Sequence, residues 1–458
     1  MNALYVICGL GFISLLAEIA NLKKYLASVI ILGLLAAVAL AVSDWSTSIH
    51  YFNDMVVFDN FSLAFTSLII VVSIFWFWMS GDYFRGQSHQ TDRSALILFT
   101  LSGAVIMVSF SNMAMLFLGI EILSISIYVL AGSKKESLLS NEASFKYFIM
   151  GSFATGFLLM GIALIYGSTG SFHLAKIASF ISAHPDDLPG FFYAGVMLLL
   201  VGMAFKISAV PFHFWAPDVY DGAPVTITAY MSTVVKIAAV AAFYRIFAGC
   251  LLSVKSSWEI ILQVMTVLTL VIPNLTAAYQ SSVKRMLAYS SIGNVGYILL
   301  VFVAGGASSA GTIFYYLTAY SIASIAAFCV LHQVENSNPS DVSFRGLFSR
   351  NPLLAVAMTA ALLSLAGIPP MAGFFGKYMV FAQAIQNGYT GLVILGVLTS
   401  LIGVYYYFRV VVDMYMKEPV TPSIELSWPG KILLCVLIAI IVLVGVFPNS
   451  SIALLANP

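Results

Sequence analysis

The stretch Ala204-Phe205-Lys206-Ile207-Ser208-Ala209-Val210-Pro211-Phe212-His213-Phe214-Trp215-Ala216-Pro217-Asp218 decides the fold. It begins inside an apolar run over 191–210 that is long enough to cross a bilayer as a helix. That run carries one ammonium, Lys206, at membrane depth, and five residues later it meets Pro211. A proline inside a helix removes one ladder hydrogen bond and clashes with the turn before it, so the backbone is predicted to break here. Broken helices persist at membrane depth only where protein or water re-satisfies the freed backbone groups. A charge beside such a break marks a functional site. The plainer alternative is a lysine that snorkels to the headgroups. Lys206 lies roughly fifteen residues from the predicted start of its helix, at ~1.5 Å each, which favours the buried reading.

Composition supports this outward from the break. Hydrophobic residues make up 61% of the chain and charged residues 9%, and the mean hydropathy is +0.99. The chain reads as an all-α integral membrane protein, because its apolar segments have helix-spanning length and lack the short alternating pattern of barrel strands. A net charge of +1 argues neither for nor against a charged partner, and nothing points to nucleic acid. The four cysteines (Cys8, Cys250, Cys329, Cys435) stand singly in apolar runs with no metal-ligand spacing, so they read as packed thiols and no metal site is predicted. There is no G-x-G-x-x-G and no P-loop, so the chain shows no means of handling a nucleotide or an electron by itself. The start, Met1-Asn2-Ala3-Leu4, has no basic residue before the first apolar run, which reads as a retained helix and not a cleaved signal.

Fourteen spans are predicted: 3–22, 25–43, 60–79, 94–110, 113–131, 144–167, 191–215 (broken), 224–247, 257–279, 284–304, 308–333, 353–387 (broken), 390–416 and 430–448. The connections are short, so 1–458 forms one polytopic domain. The longest connection, 168–190, carries His173, His184, Pro185, Asp186 and Asp187 and reads as a surface loop. Connections after odd-numbered spans hold Lys23, Lys24, Arg85, Arg93, Lys134, Lys135, Lys146, Lys284, Arg285, Arg345, Arg350, Lys417 and Lys431. Those after even-numbered spans hold little beyond Lys176, Arg245 and Lys255. By the positive-inside rule the odd connections are cytoplasmic and both termini face outward.

The twelfth span shares the signature of the seventh. It breaks at Ala366-Gly367-Ile368-Pro369-Pro370 and carries its own lysine, Lys377. Matched interrupted helices point to an inverted-repeat architecture with its site at mid-membrane. The breaks lie five spans apart, an odd number, so helices 4–8 and 9–13 would form two inverted five-helix repeats. Three helices over 1–93 would precede the first repeat (94–247), and one C-terminal helix (417–458) would follow the second (257–416).

Four ionisable groups sit well inside apolar runs: Glu121, Lys206, Lys236 and Lys377. Each costs about 2.5–3.5 kcal/mol at mid-helix, so the unpaired set costs roughly 10 kcal/mol. Packing alone returns nothing for that, so the groups pair, face hydrated cavities, or both. One acid among three lysines suggests that Glu121 holds Lys206 as an ion pair, with Lys236 and Lys377 further along a polar row. Desolvation disfavours a charged amine and a neighbouring carboxylate restores it. Separating the two would then favour proton release by about 3–5 kcal/mol. A proton crossing 100 mV gains or loses about 2.3 kcal/mol, so the magnitudes match. His213 either relays protons or hydrogen-bonds carbonyls freed by the break. His332 and Glu18 read more readily as interfacial, and Arg409 with Asp413 as a local i,i+4 pair. Tyr289, Ser290, Ser291, Asn294 and Tyr297 make the tenth span polar, either as a water path or as hydrogen-bonded packing.

At these residues the chain resembles a family. Val210-Pro211-Phe212-His213-Phe214-Trp215-Ala216-Pro217-Asp218-Val219-Tyr220-Asp221-Gly222-Ala223-Pro224, followed twelve residues later by Lys236, is similar to the signature of antiporter-like proton-translocating subunits. These occur in respiratory complex I (NADH–quinone oxidoreductase) and in Mrp cation/proton antiporters. Val283 to Ile292 (Val-Lys-Arg-Met-Leu-Ala-Tyr-Ser-Ser-Ile) and Ala366-Gly367-Ile368-Pro369-Pro370 with Lys377 extend the resemblance over nearly the whole chain. It implies a hydrophilic axis with Glu121 and Lys206 as the pair, Lys236 as the bridge and Lys377 as the terminal site. M-type members usually have Glu where Lys377 stands, and L-type members continue into a long lateral helix where this chain stops at Pro458. One departure is Asn294, at a position where the family usually has His; water or Tyr297 would have to substitute.

The resemblance implies a multi-pass protein of the bacterial inner membrane that translocates protons as a subunit of an enzyme complex, with no redox chemistry of its own. Its expected partners are a neighbouring antiporter-like subunit, small membrane subunits and the lipid bilayer. Quinone, FMN and iron–sulfur clusters are expected in partner subunits. The alternative function is a subunit of an Mrp-type cation/proton antiporter driven by an ion gradient. A membrane spacer that does not pump would have no reason to retain four buried charges.

Overall fold

The structure is a computed structural model that describes residues 1–19, 23–81, 89–184, 187–339, 342–420 and 422–448. Arg85, Pro185 and Asp186, the last residues of the predicted first span and the C-terminal end lie outside the described residues. The helices in chain order are α1 (Asn2–Leu16), α2 (Leu26–Ser43), α3 (Asn60–Met79), α4 (Gln90–Ser109), α5 (Met113–Ala131), α6 (Leu138–Thr169), α7 (Leu174–Ala183), α8 (Gly190–Ile207) and α9 (Trp215–Gly222). They continue as α10 (Val225–Cys250), α11 (Lys255–Ala278), α12 (Val283–Ala304), α13 (Ser309–Ser337), α14 (Pro352–Ala366), α15 (Ala372–Gln386), α16 (Thr390–Met416) and α17 (Trp428–Val446).

Among the described residues, twelve helices are long and apolar enough to span a membrane. The two remaining predicted spans correspond to the shorter α1 and to the broken pair α14 and α15. Polar caps set the helix starts: Asp59 accepts from Ser62 N at 2.8 Å, and Asn112 accepts from Ala114 N at 2.9 Å. α10, α12 and α13 are buried on nearly all sides and form the centre, whereas α2 and α17 lie at the outside. Close helix approach uses small residues. A Cβ at Gly161 of α6 would lie 2.7 Å from the Leu199 backbone nitrogen of α8.

Two local readings are corrected, and one small element is added. The segment 168–190 is not a plain loop: α7 lies within it and buries Ile177 and Ile181, because its apolar residues recur at helical spacing. A small antiparallel hairpin, β1 (Ile49–Tyr51) with β2 (Val56–Phe58), joins α2 to α3. Arg409 and Asp413 do not pair. Arg409 donates to Ala278 O at 2.9 Å and to Gln280 O, satisfying carbonyls at the open end of α11. Asp413 takes Lys417 at 2.5 Å instead. The cysteines are free, with Cys250 and Cys329 buried, Cys8 part-buried and Cys435 exposed.

Polar contacts sort the connections onto two faces. On one face Lys134 meets Glu335 at 2.8 Å, and Asp218 takes both Lys146 and Arg285 at 2.9 Å. These groups flank odd-numbered connections. On the other face the N-terminal ammonium lies 3.8 Å from Asp44, and Arg245 lies 2.6 Å from Asp59, joining even-numbered connections.

Candidate functional site

Both predicted breaks are present. α8 ends at Ile207, Ser208 turns left-handed (φ 63), and α9 starts at Trp215. α14 ends at Ala366, Gly367 turns left-handed (φ 83), and α15 starts at Ala372. In each half the proline follows the left-handed residue after the same interval, Pro211 after Ser208 and Pro370 after Gly367. The freed backbone groups find partners. Trp215 Nε1 donates to Phe205 O at 3.2 Å, and Thr269 Oγ1 accepts from Val210 N at 2.9 Å. At the second break Ser364 Oγ accepts from Gly373 N at 3.1 Å, and Lys377 Nζ donates to Ala366 O at 2.8 Å. The broken backbone is therefore satisfied by protein, as membrane depth demands.

The three lysines are inside the bundle, with exposures of 5% for Lys206, 2% for Lys236 and 7% for Lys377. That excludes snorkelling. Lys206, in the last turn of α8, donates to Ser124 Oγ of α5 at 2.5 Å and stands 5.8 Å from the Tyr128 ring centre. Lys236 follows a π-helical turn, Met231–Val235, and donates to Ser291 O at 2.8 Å and Ser291 Oγ at 2.5 Å. Lys377 adds Ser400 Oγ at 3.0 Å to its Ala366 contact and stands 4.8 Å from the Tyr297 ring centre. Among the described residues, each ammonium is held by neutral oxygens, and Lys206 and Lys377 also stand beside an aromatic face.

The direct Glu121–Lys206 ion pair is not closed. Glu121 is only part-buried, and Ser124, one turn along the same helix, takes the ammonium in its place. Leaving the carboxylate at the rim avoids desolvating a second ion, which costs several kcal/mol. The Lys206 ammonium therefore rests on Ser124, and the Glu121 carboxylate stays part-buried one turn away on the same helix as that serine.

Lys236 and Lys377 are brought onto one polar seam. Ser291, which holds Lys236, also accepts from Tyr320 OH at 2.8 Å. Tyr320 then lines a small buried cavity with Asn294, Tyr316, Ser364 and Lys377. Asn294 donates to Ser290 O at 2.8 Å and accepts from Tyr316 OH at 2.7 Å, and Ser290 pairs with Tyr407 OH. On the Lys206 side, Ser208 Oγ and His213 Nδ1 are buried without a protein partner. His332 is buried one turn before Glu335, with Nε2 3.1 Å from Asn336 Nδ2. Glu18 is exposed and holds Lys23 at 2.6 Å, as an interfacial residue does.

Sequence reasoning found the lysines, Ser291 and Asn294, but missed Ser124, Ser400, Tyr316 and Tyr320. Single hydroxyls on apolar helices carry no spacing signal. The one available hint was the tyrosine run Tyr315, Tyr316 and Tyr320 in a helix centre. Chemically, the arrangement can hold three amines out of water, exchange their acceptors among hydroxyls, and pass protons through oxygen-lined gaps.

The profile of the family described as "NADH:quinone oxidoreductase/Mrp antiporter, TM" matches residues 110–403. The chain is 45% identical to the "NADH-quinone oxidoreductase subunit N" of Cytophaga hutchinsonii, over 98% of both chains. Its fold is similar to a chain of respiratory complex I from Thermus thermophilus, with a TM-score of 0.85, 30% identity and all of both chains covered. A chain of the Mrp complex from Dietzia sp. DQ12-45-1b shares the fold at a TM-score of 0.86 and 20% identity, over 100% of this chain and 97% of that one.

Proposed function

The chain belongs to the NADH:quinone oxidoreductase/Mrp antiporter transmembrane family, and on that premise we propose that it is a membrane-arm subunit of an NADH–quinone oxidoreductase that moves protons along Glu121, Lys206, Lys236 and Lys377. Near-full-length identity to relatives named for that oxidoreductase supports this over the Mrp alternative, to which the likeness is one of fold. The observation that carries the reading is the set of three lysines at 7% exposure or less, each on neutral oxygen acceptors. An amine in that setting has little to hold its charge, so a modest change in its neighbours moves a proton on or off.

In the proposed cycle Glu121 approaches Lys206 to load it and retreats to the rim to unload it. The proton passes to Lys236, with His213 and Ser208 as candidate relays. It then follows Ser291, Tyr320 and the Asn294 cavity to Lys377. The drive is a conformational or electrostatic change imported from partner subunits, where quinone, FMN and iron–sulfur chemistry reside. The odd-numbered face, rich in lysine and arginine, is assigned to the cytoplasm, with the N-terminus outward.

The test is Glu121→Ala, Lys206→Ala and Lys377→Ala in the assembled complex, reading protons moved per electron and electron-transfer rate together. Each variant is expected to assemble and to lose coupled turnover by about tenfold or more, as removal of a positioned proton-transfer group does. Normal coupling in all three would return the chain to the role of a passive spacer.

A further inference from the structure

On the even-numbered face lies a polar cluster that the row of lysines does not use. Lys255 and Glu259 stand one turn apart at the start of α11, 3.5 Å from each other, and both are about a quarter exposed. Tyr389 OH donates to Glu259 Oε1, and its ring lies 5.9 Å from Lys255 Nζ. Beside them is a cavity of about 360 Å³ lined by Lys255, Tyr244, Trp258, Gly305, Gly306 and Ser309. Its floor is the Gly305-Gly306 linker between α12 and α13, where both residues have positive φ.

From the other side Gln383 of α15 reaches this linker. Gln383 is 5% exposed and donates from Nε2 to Gly305 O at 2.6 Å and to Ser309 Oγ at 2.7 Å. A carbonyl oxygen only accepts, which fixes the amide's orientation. Gln383 Oε1 is consequently buried with no protein donor. A buried amide oxygen of this kind is where water donates. Gln383 follows Lys377 by six residues on the buried side of α15, about 9 Å along the helix axis, or about three hydrogen bonds of ~2.8 Å.

We propose that the Glu259–Tyr389–Lys255 cluster is the even-face proton port of the Lys377 branch, with Glu259 as the exchanging group and Gln383 as the positioning residue for a short chain of waters between them. This rests on the proton-row reading given above. In the step, an N–H bond of the Lys377 ammonium breaks and leaves the amine. A chain of waters ending at the one held by Gln383 Oε1 relays the proton to the Glu259 carboxylate, which forms an O–H bond and later gives the proton to water at the cavity mouth. No electron moves. Lys255 keeps the carboxylate's place at the mouth, and the glycine linker runs between the two groups: a Cβ at Gly305 would lie 3.6 Å from Lys255 Nζ, and one at Gly306 3.6 Å from Gln383 Nε2.

The experiment uses the assembled complex in proteoliposomes, with Glu259→Ala, Gln383→Leu and Lys377→Ala compared for protons moved per electron, with and without formate on the cavity side. Formate is a carboxylate small enough for the cavity, so it serves as a free replacement for Glu259. Glu259→Ala is expected to lose proton translocation by about tenfold and to recover at least half of it with formate but not with chloride. Gln383→Leu is expected to lose translocation without recovery. Wild-type pumping by Glu259→Ala, or a loss that formate leaves unchanged, overturns the port. Should Lys377→Ala also pump normally, the underlying row is at fault; should Lys377→Ala alone be impaired, only the port falls.

Discussion

At the scale of single residues, the charges were legible and their acceptors were not. A lysine in an apolar run announces itself by cost, whereas Ser124, Ser291 and Ser400 look like any serine that could bond to its own helix. The expected Glu121–Lys206 contact failed for the same reason: opposite charges in sequence suggest a pair, but a hydroxyl offered a cheaper partner. Asn294, where the resemblance leads one to expect His, accepts from Tyr316, whose one sequence hint is the tyrosine run of its helix. Ser291 gives the sharpest prediction at this scale. It holds Lys236 through Oγ at 2.5 Å and Tyr320 at 2.8 Å, and Ser291→Ala keeps only the carbonyl contact at 2.8 Å. A hydrogen bond to a charged group is worth about 1.5–3 kcal/mol, so coupled proton translocation should fall by roughly tenfold or more. Ser291→Thr should keep most of it. Equal rates in Ser291→Ala and the parent chain would remove Ser291 from the path.

At the scale of elements, both helix breaks were legible because proline and a left-handed Ser208 or Gly367 act locally. The π-helical turn before Lys236 was not, since it arises from how α10 fits its neighbours. The hairpin β1–β2 is three residues a strand, too short to show as a pattern. The second break also depends on a close approach that sequence conceals. A Cβ on Gly373 would lie 1.8 Å from Ser364 O, and that neighbour is backbone and cannot rotate away. Gly373→Ala is therefore expected to push α15 off α14 and cost about 1–3 kcal/mol. The assembled complex should inactivate at a lower temperature and carry less of this chain. Gly391→Ala, where a Cβ meets nothing within 4 Å, is the matched control. Identical inactivation curves for the two variants would show that the approach is looser than its geometry implies.

At the scale of the whole molecule, ion pairs gather on two faces, and the odd face carries a clamp that joins three elements. Asp218, four residues into the helix after the first break, takes Lys146 of α6 and Arg285 of α12 at 2.9 Å each. Arg285 also reaches Asp221 at 3.6 Å, and Lys284 donates to Ala223 O at 2.7 Å, closing the end of α9. α9 is thereby tied to the bundle just beyond the break that follows Lys206. The sequence places Asp218 inside its motif without revealing its partners, because they lie 72 and 67 residues away. Burial pushes the Asp218 carboxyl up, but Lys146 and Arg285 outweigh it and hold it below the ordinary carboxylate range. A depressed carboxyl contributes stability above its unfolded pKa, near 3.9, and loses it as pH falls through the folded value. Because the group is about a third exposed, the pairs together contribute only about 1 kcal/mol. Asp218→Asn should therefore assemble and inactivate slightly faster than the parent on heating, by the same margin at pH 7 and pH 5. The two should converge only below about pH 4. A margin already gone at pH 5 would mean that Asp218 is not the charge that holds α9 in place. The clamp would then have to be credited to the Lys284 contact with Ala223.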